Sequence, residues 1–398
     1  MSSDNLTIPK ISANGSQSAI LQALRDHGPI SRSGLASLTG MTLQAVSRTV
    51  GPMLKDDLLV ELPQADTRGQ RRKRGLGLNR DIGCAMAISY GPNAVEGVIM
   101  DTGYNVLQRD SQQIALQKID KEEKLLAIFA FTAGFFSHIP TGLRCLALGV
   151  VDPGVVDAAA GLALSCSIMD HWADVPVVQR FQDEFHLPVL LTCDNQACIR
   201  AVDRLELKGR IRNLIYVEYN EGISCCLKLG GHYIRGGRSL AGEFGHIPAT
   251  ELPVPCQCGA VGCLEALVAM PALAKQTADA ITSGSNSVLS ANIANLCGRD
   301  VLIAAANGDR LADRIVHEAY ELLGRNIGGL INTLAPEMVL FENTISLAGE
   351  SRVWALFETI RRNTLPSHEK YLKLQISTLT SHVAGIGGAA EVLDYCLG

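Results

Sequence analysis

The stretch Gly242-Glu243-Phe244-Gly245-His246, followed by Cys256-Gln257-Cys258-Gly259-Ala260-Val261-Gly262-Cys263-Leu264-Glu265, decides how most of this chain is read. One imidazole and three thiols fall within eighteen residues, from His246 to Cys263. They supply an S3N shell, the donor set of a closed structural zinc site. The glycines allow the tight turns that bring three sulfurs to one ion. One structural Zn2+ per chain is expected, held by His246, Cys256, Cys258 and Cys263. The plain alternative is three buried thiols, because free cysteine packs as a small hydrophobe. The other nine of the twelve cysteines lack ligand spacing and are expected in the core.

On both sides of this stretch the pattern is α/β. Apolar strands are expected at Ala85–Ser89, Val95–Met100, Leu146–Val151, Val189–Thr192, Leu214–Glu218, Cys225–Leu229, Met338–Phe341 and Leu374–Ser377. Helices are expected at Lys121–Phe136, Val177–Phe185, Asn195–Leu207, Glu265–Ala280, Ala312–Leu334 and Ala384–Leu397. Asp120 with Glu123 forms a capping box for the first of these. No tandem repeat or low-complexity tract is present, and a domain boundary falls near residue 80.

Before that boundary the charge changes. Residues 17–79 hold nine Lys/Arg and five acids, a balance of +4 against −5 for the whole chain of 398 residues. A basic head on an acidic body points to a polyanion partner for the head alone. Ser16 or Ser18 can cap a first helix carrying Ile20, Leu21 and Leu24, stopped by Gly28-Pro29. Ser31 caps a second, and Thr42 caps a third. Gly51-Pro52 should kink the third or end it early.

Ala36, Gly40 and Val46 have helix-turn-helix spacing: a small residue for close approach, a left-handed turn and a branched anchor. Thr42, Gln44, Ala45, Ser47 and Arg48 then lie at the start and exposed face of a recognition helix, where Gln and Arg read base edges. Strands at Leu58–Leu62 and Leu76–Asn79 flank a loop holding Arg68, Arg71, Arg72, Lys73 and Arg74, five cations in seven residues. Such a wing can follow phosphates or enter a minor groove. The reading is a frayed residue 1–15, a winged helix-turn-helix at 16–79 that binds double-stranded operator DNA, and an α/β body at 80–398.

Composition sets the limits. Hydrophobic residues are 47% and charged residues 19%, which excludes general disorder. The N-terminus MSSDNLTIPK lacks a signal-peptide pattern. The charge-free run Leu125–Leu143 contains Pro140 and Gly142 and fits a buried helix with its exit loop, not a membrane span. A cytoplasmic protein with no membrane partner is expected.

His246 with Cys-x-Cys-Gly-x-x-Gly-Cys-Leu-Glu resembles the signature of the ROK family (repressors, open reading frames and sugar kinases). Gly149-Val150-Val151-Asp152-Pro153-Gly154, Leu347-Ala348-Gly349 and Gly385-Ile386-Gly387-Gly388-Ala389-Ala390 resemble other segments of that family. The resemblance covers nearly the whole chain. It implies an actin/hexokinase-like body of two α/β lobes, with the zinc knuckle at 246–263. It also implies a sugar-like ligand held by Asp194, Glu243, His246 and Glu265. Cys193 stands where the family's sugar kinases carry Asn.

Asp194 matches the family's catalytic base, but no catalytic residue is assigned. The three loops that cradle ATP in the kinases read Ser89-Tyr90-Gly91-Pro92-Asn93, Asn220-Glu221-Gly222-Ile223 and Glu342-Asn343-Thr344 here. Pro92 removes an amide donor and Glu221 sets a carboxylate against phosphate. The expectation is a regulator, by family default a repressor, of carbohydrate-related genes. Its effector is a sugar or sugar phosphate, and it acts as a homo-oligomer, dimer or tetramer. The alternatives are a ROK sugar kinase with a divergent ATP site, or a DNA-binding protein with a vestigial cleft.

Overall fold

The computed structural model describes residues 7–11, 14–63, 74–166, 168–237 and 240–397. The chain forms two compact units, Met1–Arg210 with Ser381–Gly398, and Ile211–Thr380.

The first unit opens with α1 (Gly15–His27), α2 (Arg32–Thr39), α3 (Leu43–Lys55) and the antiparallel pair β1 (Leu59–Pro63) and β2 (Arg74–Leu78). Asn14, rather than Ser16 or Ser18, caps α1: its Oδ1 accepts from the Gln17 amide at 3.0 Å. Gly40 ends α2 with φ 70°, the left-handed conformation that the turn requires. Thr42 caps α3, accepting from the Ala45 amide at 3.2 Å. The expected break at Gly51-Pro52 does not occur, and α3 runs on to Lys55. Both residues are exposed in the last turns, where water can serve the carbonyl that proline leaves without a donor.

A sheet in the order β10-β6-β3-β4-β5 follows. Its strands are β3 (Cys84–Tyr90), β4 (Ala94–Asp101), β5 (Val106–Gln113), β6 (Cys145–Asp152) and β10 (Val189–Cys193). The first three pair antiparallel; β6 and β10 run parallel to β3. A small sheet of β7 (Val155–Asp157), β8 (Leu162–Ser165) and β9 (Ala173–Val175) stands beside it. The helices are α4 (Lys121–Phe136), α5 (Val177–Phe185) and α6 (Asp194–Leu205). The Asp120/Glu123 capping box forms at the start of α4 as expected. β5 escaped the sequence reading because its outer half is polar and exposed, which suits an edge strand.

The second unit contains β11 (Leu214–Tyr219), β12 (Ile223–Leu229), β13 (His232–Ile234), α7 (Glu265–Val268), α8 (Met270–Thr282), α9 (Gly298–Ala306), α10 (Arg310–Leu334), β14 (Met338–Phe341), α11 (Glu350–Arg362), α12 (Pro366–Glu369) and β15 (Lys373–Ile376). Its sheet order, β13-β12-β11-β14-β15, repeats the first unit's scheme of three antiparallel strands and then two parallel ones. The helix expected over 265–280 is broken at Ala269, which is extended at ψ 163°. Cys297, expected in the core, is exposed at the start of α9, with its thiol 3.1 Å from Asp300. No described helix is long and apolar enough to cross a membrane.

The chain then returns to the first unit as α13 (Val383–Leu397). This helix lies unusually close to α6. A Cβ on Gly387 would stand 1.7 Å from the Ala197 carbonyl oxygen, so only glycine fits. The far end of α13 reaches the head: Leu397 is buried with Ile20, Leu24, Val46 and Met53, and Cys396 accepts from the Ile11 amide at 2.7 Å.

Four charges meet at the same place. Asp26 takes Arg25 and Arg204, each at 2.8 Å, and Asp394 takes Arg204 at 3.0 Å and Arg25 at 3.2 Å. Tyr104 also donates to Asp394 at 2.7 Å. Burial alone would raise the Asp394 carboxyl, but Arg204 and Arg25 outweigh it and hold it at about 2. A depressed acid stabilises the fold above its unfolded value of 3.8, and that stability is lost as pH falls toward about 2. Chemical denaturation between about pH 4 and pH 2 should therefore show a loss of about 2 kcal/mol from this group. Asp394→Asn should flatten that slope by one proton; equal slopes in the two proteins would contradict the ion network.

Candidate functional site

The head presents α3 with Val46 and Val50 buried beneath it. Thr42, Gln44, Ser47 and Arg48 are exposed, and Ala45 is half-buried. Thr42 is also engaged as the cap. Leu43 escaped the sequence reading: 54% exposed in the first turn, it offers an apolar contact of the kind that meets a thymine methyl. Its only signal was an apolar side chain directly after a cap. Ile30 forms a one-residue antiparallel bridge to Leu76, on the other side of β2 from β1. Arg68, Arg71, Arg72 and Lys73 lie outside the described residues; Arg74 begins β2, opposite Pro63.

The first unit holds a cavity of about 300 Å3 beside the end of β3. Ser89, Tyr90, Pro92, Glu96 and Asp194 are among the residues that line it. Asp194 is the first residue of α6, and Cys198 lies one turn on with its thiol 3.6 Å from the carboxylate. Cys193 ends β10, its thiol 3.0 Å from the Asn195 side-chain oxygen. Beneath the cavity Asp152 is buried, accepting from Tyr90 Oη at 2.7 Å, Trp172 Nε1 at 2.8 Å and the Gly154 amide at 2.7 Å. Burial raises this carboxyl despite the three donors. The sequence placed Asp152 in the family-like segment Gly149–Gly154 but did not single it out as a site residue. The loop above is closed on itself, since the Gly91 amide donates to the Ala94 carbonyl at 2.9 Å.

In the second unit His246, Cys256, Cys258 and Cys263 converge, their donor atoms all within 4.8 Å of one another. His246 Nδ1 is 3.6 Å from Cys256 Sγ, and the Cys258 and Cys263 sulfurs are 3.7 Å apart. Zinc bonds of about 2.3 Å to sulfur and 2.0–2.1 Å to nitrogen space tetrahedral ligands about 3.6–3.8 Å apart, so the observed edges fit such an ion. His246 Nε2 points to Glu243 at 3.7 Å.

Glu265, placed with the ligand group by sequence, has a structural engagement. Its Oε2 accepts from the Ile223 amide at 3.0 Å. Gly222 and Gly245 make room: Cβ atoms there would approach this oxygen to 2.9 and 3.1 Å. The structure thus brings Glu243, His246 and Glu265 into one segment of the second unit, while Asp194 belongs to the first.

The second and third loops singled out by sequence are tied together. Glu342 accepts from the Tyr219 amide at 3.0 Å and from Asn220 Nδ2 at 2.5 Å. Thr344 donates to Asn220 Oδ1 at 3.2 Å. Burial raises the Glu342 carboxyl. These partners lie more than a hundred residues apart, out of reach of any local pattern.

Comparison with known proteins now decides the family. The ROK family profile matches residues 85–394. The chain belongs to the ROK family. It is 25% identical over 383 residues to the xylose repressor of Caldicellulosiruptor bescii, covering 95% of both chains. A solved ROK family transcriptional regulator, a homologue of the E. coli MLC protein, superposes with TM-score 0.81 at 24% identity, over 96% of this chain and 98% of that one. The ROK hexokinase of Thermus thermophilus gives TM-score 0.64 at 24% identity; 97% of it is covered, but only 77% of this ROK protein. The fold is thus the ROK regulator and hexokinase-like α/β architecture that the motifs implied.

Gly245→Ala tests the glycine framework. Its Cβ would meet the Ile223 carbonyl oxygen at 2.5 Å, a backbone atom that cannot swing away. The variant should lose about 1–3 kcal/mol in urea denaturation. Wild-type stability would mean that Glu265 is not wedged against β12 as described.

Proposed function

We propose that this ROK protein is a DNA-binding transcriptional repressor of carbohydrate-related genes that responds to a sugar-like ligand. The observation that carries this is the full-length match to a xylose repressor, head included, whereas the hexokinase is almost fully covered yet leaves about a quarter of this chain without a counterpart. Residues 16–79 form the winged helix-turn-helix. The exposed face of α3 reads bases, and the basic loop from Arg68 to Arg74 follows phosphates. A homo-oligomer, dimer or tetramer, sets two heads on paired half-sites. Asp194 in the first unit, and Glu243 and Glu265 in the second, offer carboxylate acceptors for ligand hydroxyls, and His246 offers a ring N–H donor.

His246, Cys256, Cys258 and Cys263 would hold one structural Zn2+, the histidine through Nδ1. Glu243, facing the other ring nitrogen, would orient it. A closed four-ligand shell braces the segment and leaves no open position for catalysis.

Sugar phosphorylation is not part of this reading. Amides within the first two of the three loops are spent within the protein, at Gly91 on Ala94 and at Ile223 on Glu265. A buried carboxylate tying two of the loops repels phosphate further.

Three measurements test these assignments. Replacing Arg71, Arg72 and Arg74 together should weaken binding to all duplexes and lower the log–log salt slope by about 0.9 per lost phosphate contact. Gln44→Ala or Arg48→Ala should instead cost about 1–3 kcal/mol of discrimination between operator and random DNA. Unchanged affinity and slope in the triple variant would remove the wing from the interface.

The purified protein should contain one zinc per chain by elemental analysis. Cys258→Ser and Cys263→Ser should lose it and melt at lower temperature. Full zinc content in both variants would refute the ligand set.

ATP with a panel of hexoses and pentoses should give neither a thermal shift nor a sugar phosphate. Turnover that disappears in Asp194→Asn would establish the kinase alternative instead.

A further inference from the structure

The ion network at the base of the head is a closed ring. Arg25 and Asp26 come from the last turn of α1, Arg204 from the last turn of α6 and Asp394 from the last turn of α13. Each acid touches both arginines, and each arginine touches both acids. The ring sits under cover, with the Arg204 and Asp394 side chains 8% and 17% exposed. The Tyr104 ring lies 5.9 Å from the Arg204 guanidinium, and its hydroxyl donates to Asp394. Such a joint is directional: two-nitrogen contacts from a planar guanidinium hold only in one register.

The helix that supplies Arg204 begins at the cavity. Asp194 opens α6 and lines that space, ten residues and about 15 Å from Arg204 along one uninterrupted helix. Its flank is held rigidly. Gly387 abuts the Ala197 carbonyl, and Arg200 pairs with Glu391 of α13 at 3.3 Å, both side chains buried. A shift of α6 at Asp194 cannot be absorbed along the way by a loop or a flexible side chain. On the far side, α1 leads through Gly28-Pro29 directly to Ile30, which is bridged to β2 of the hairpin.

We propose that α6 links the Asp194 cavity to the DNA-binding head, and that the Arg25-Asp26-Arg204-Asp394 ring is the joint through which the two ends are coupled. The proposal rests on the reading above that the head binds DNA. It assigns Arg204 as a positioning residue: it touches neither DNA nor ligand, and acts by fixing α1 on α6. Coupling between two sites is reciprocal, so DNA on the head must be felt at Asp194 even with no effector present.

The test needs no knowledge of the effector. The full-length protein selects a duplex from a random 30-base-pair pool, and amide hydrogen exchange is followed with and without that duplex at saturation. In the wild type, DNA should slow exchange in α3 and, by about tenfold or more, at the cavity end of α6. In Arg204→Gln the slowing in α3 should persist while that in α6 falls below about twofold. Asp26→Asn, which keeps shape and both arginines, should give the same separation and serves if the first variant folds poorly. Arg204→Lys keeps the charge but cannot bridge two acids as the planar fork does, and should not restore the effect. Slowing in α3 with none in wild-type α6, or slowing in α6 that survives both ring variants, overturns the joint. If no duplex is selected, the DNA-binding reading fails, and the joint falls with it.

Discussion

The close approach of α13 to α6 is the constraint on which the first unit depends. Two helices carrying ordinary side chains pack with axes about 8–10 Å apart. Here Gly387 lets a backbone carbonyl of α6 stand where a Cβ would otherwise be. The same helix presses Gly388 toward β6 and Gly385 toward β4, so a run of small residues becomes a flat seat for the whole C-terminal segment. Once seated, α13 delivers Leu397 into the core of the head and Asp394 into the ion ring. A larger residue at 387 would therefore disturb the head, although it lies three turns from the head's own core.

A buried ion ring contributes less net stability than its Coulomb attraction implies, because four charges must first be stripped of water. Apolar side chains of similar volume would hold the head about as firmly. They would also let it slide. Alternating charges from three helices do not tolerate a one-turn shift, since each displaced arginine would leave a carboxylate without its partner. The ring thus fixes orientation rather than supplying adhesion. That property is what a head needs if its angle on DNA is to depend on the body beneath it.

What the sequence disclosed was local. His246 and the three cysteines sit within eighteen residues, so their convergence was legible from spacing. The Asp120/Glu123 box and the Gly40 turn were legible for the same reason. Asn14 was overlooked because serines nearby offered equally good caps, and only the position of the first turn chooses among them. Pro52 misled because its cost depends on whether the orphaned carbonyl faces water, which a sequence does not state. The ring was beyond reach: Arg25 and Asp394 are 369 residues apart, and neither stands in any recognisable motif. The segment Gly385–Ala390 resembled its family, yet the reason for its glycines is visible only against Ala197 and Gly149.

The Glu342 lock carries the same logic into the second unit. A loop that cradles phosphate must hold its amides free and aimed at empty space, a costly arrangement in the absence of ligand. Here the Tyr219 amide and the Asn220 side chain already have a partner, and Thr344 closes the far side. On the regulator reading proposed above, these contacts stay in place, because no triphosphate has to enter between them. A protein that transfers no phosphoryl group, as proposed above, has no need of such free amides, and loops that satisfy one another leave fewer buried polar groups without partners.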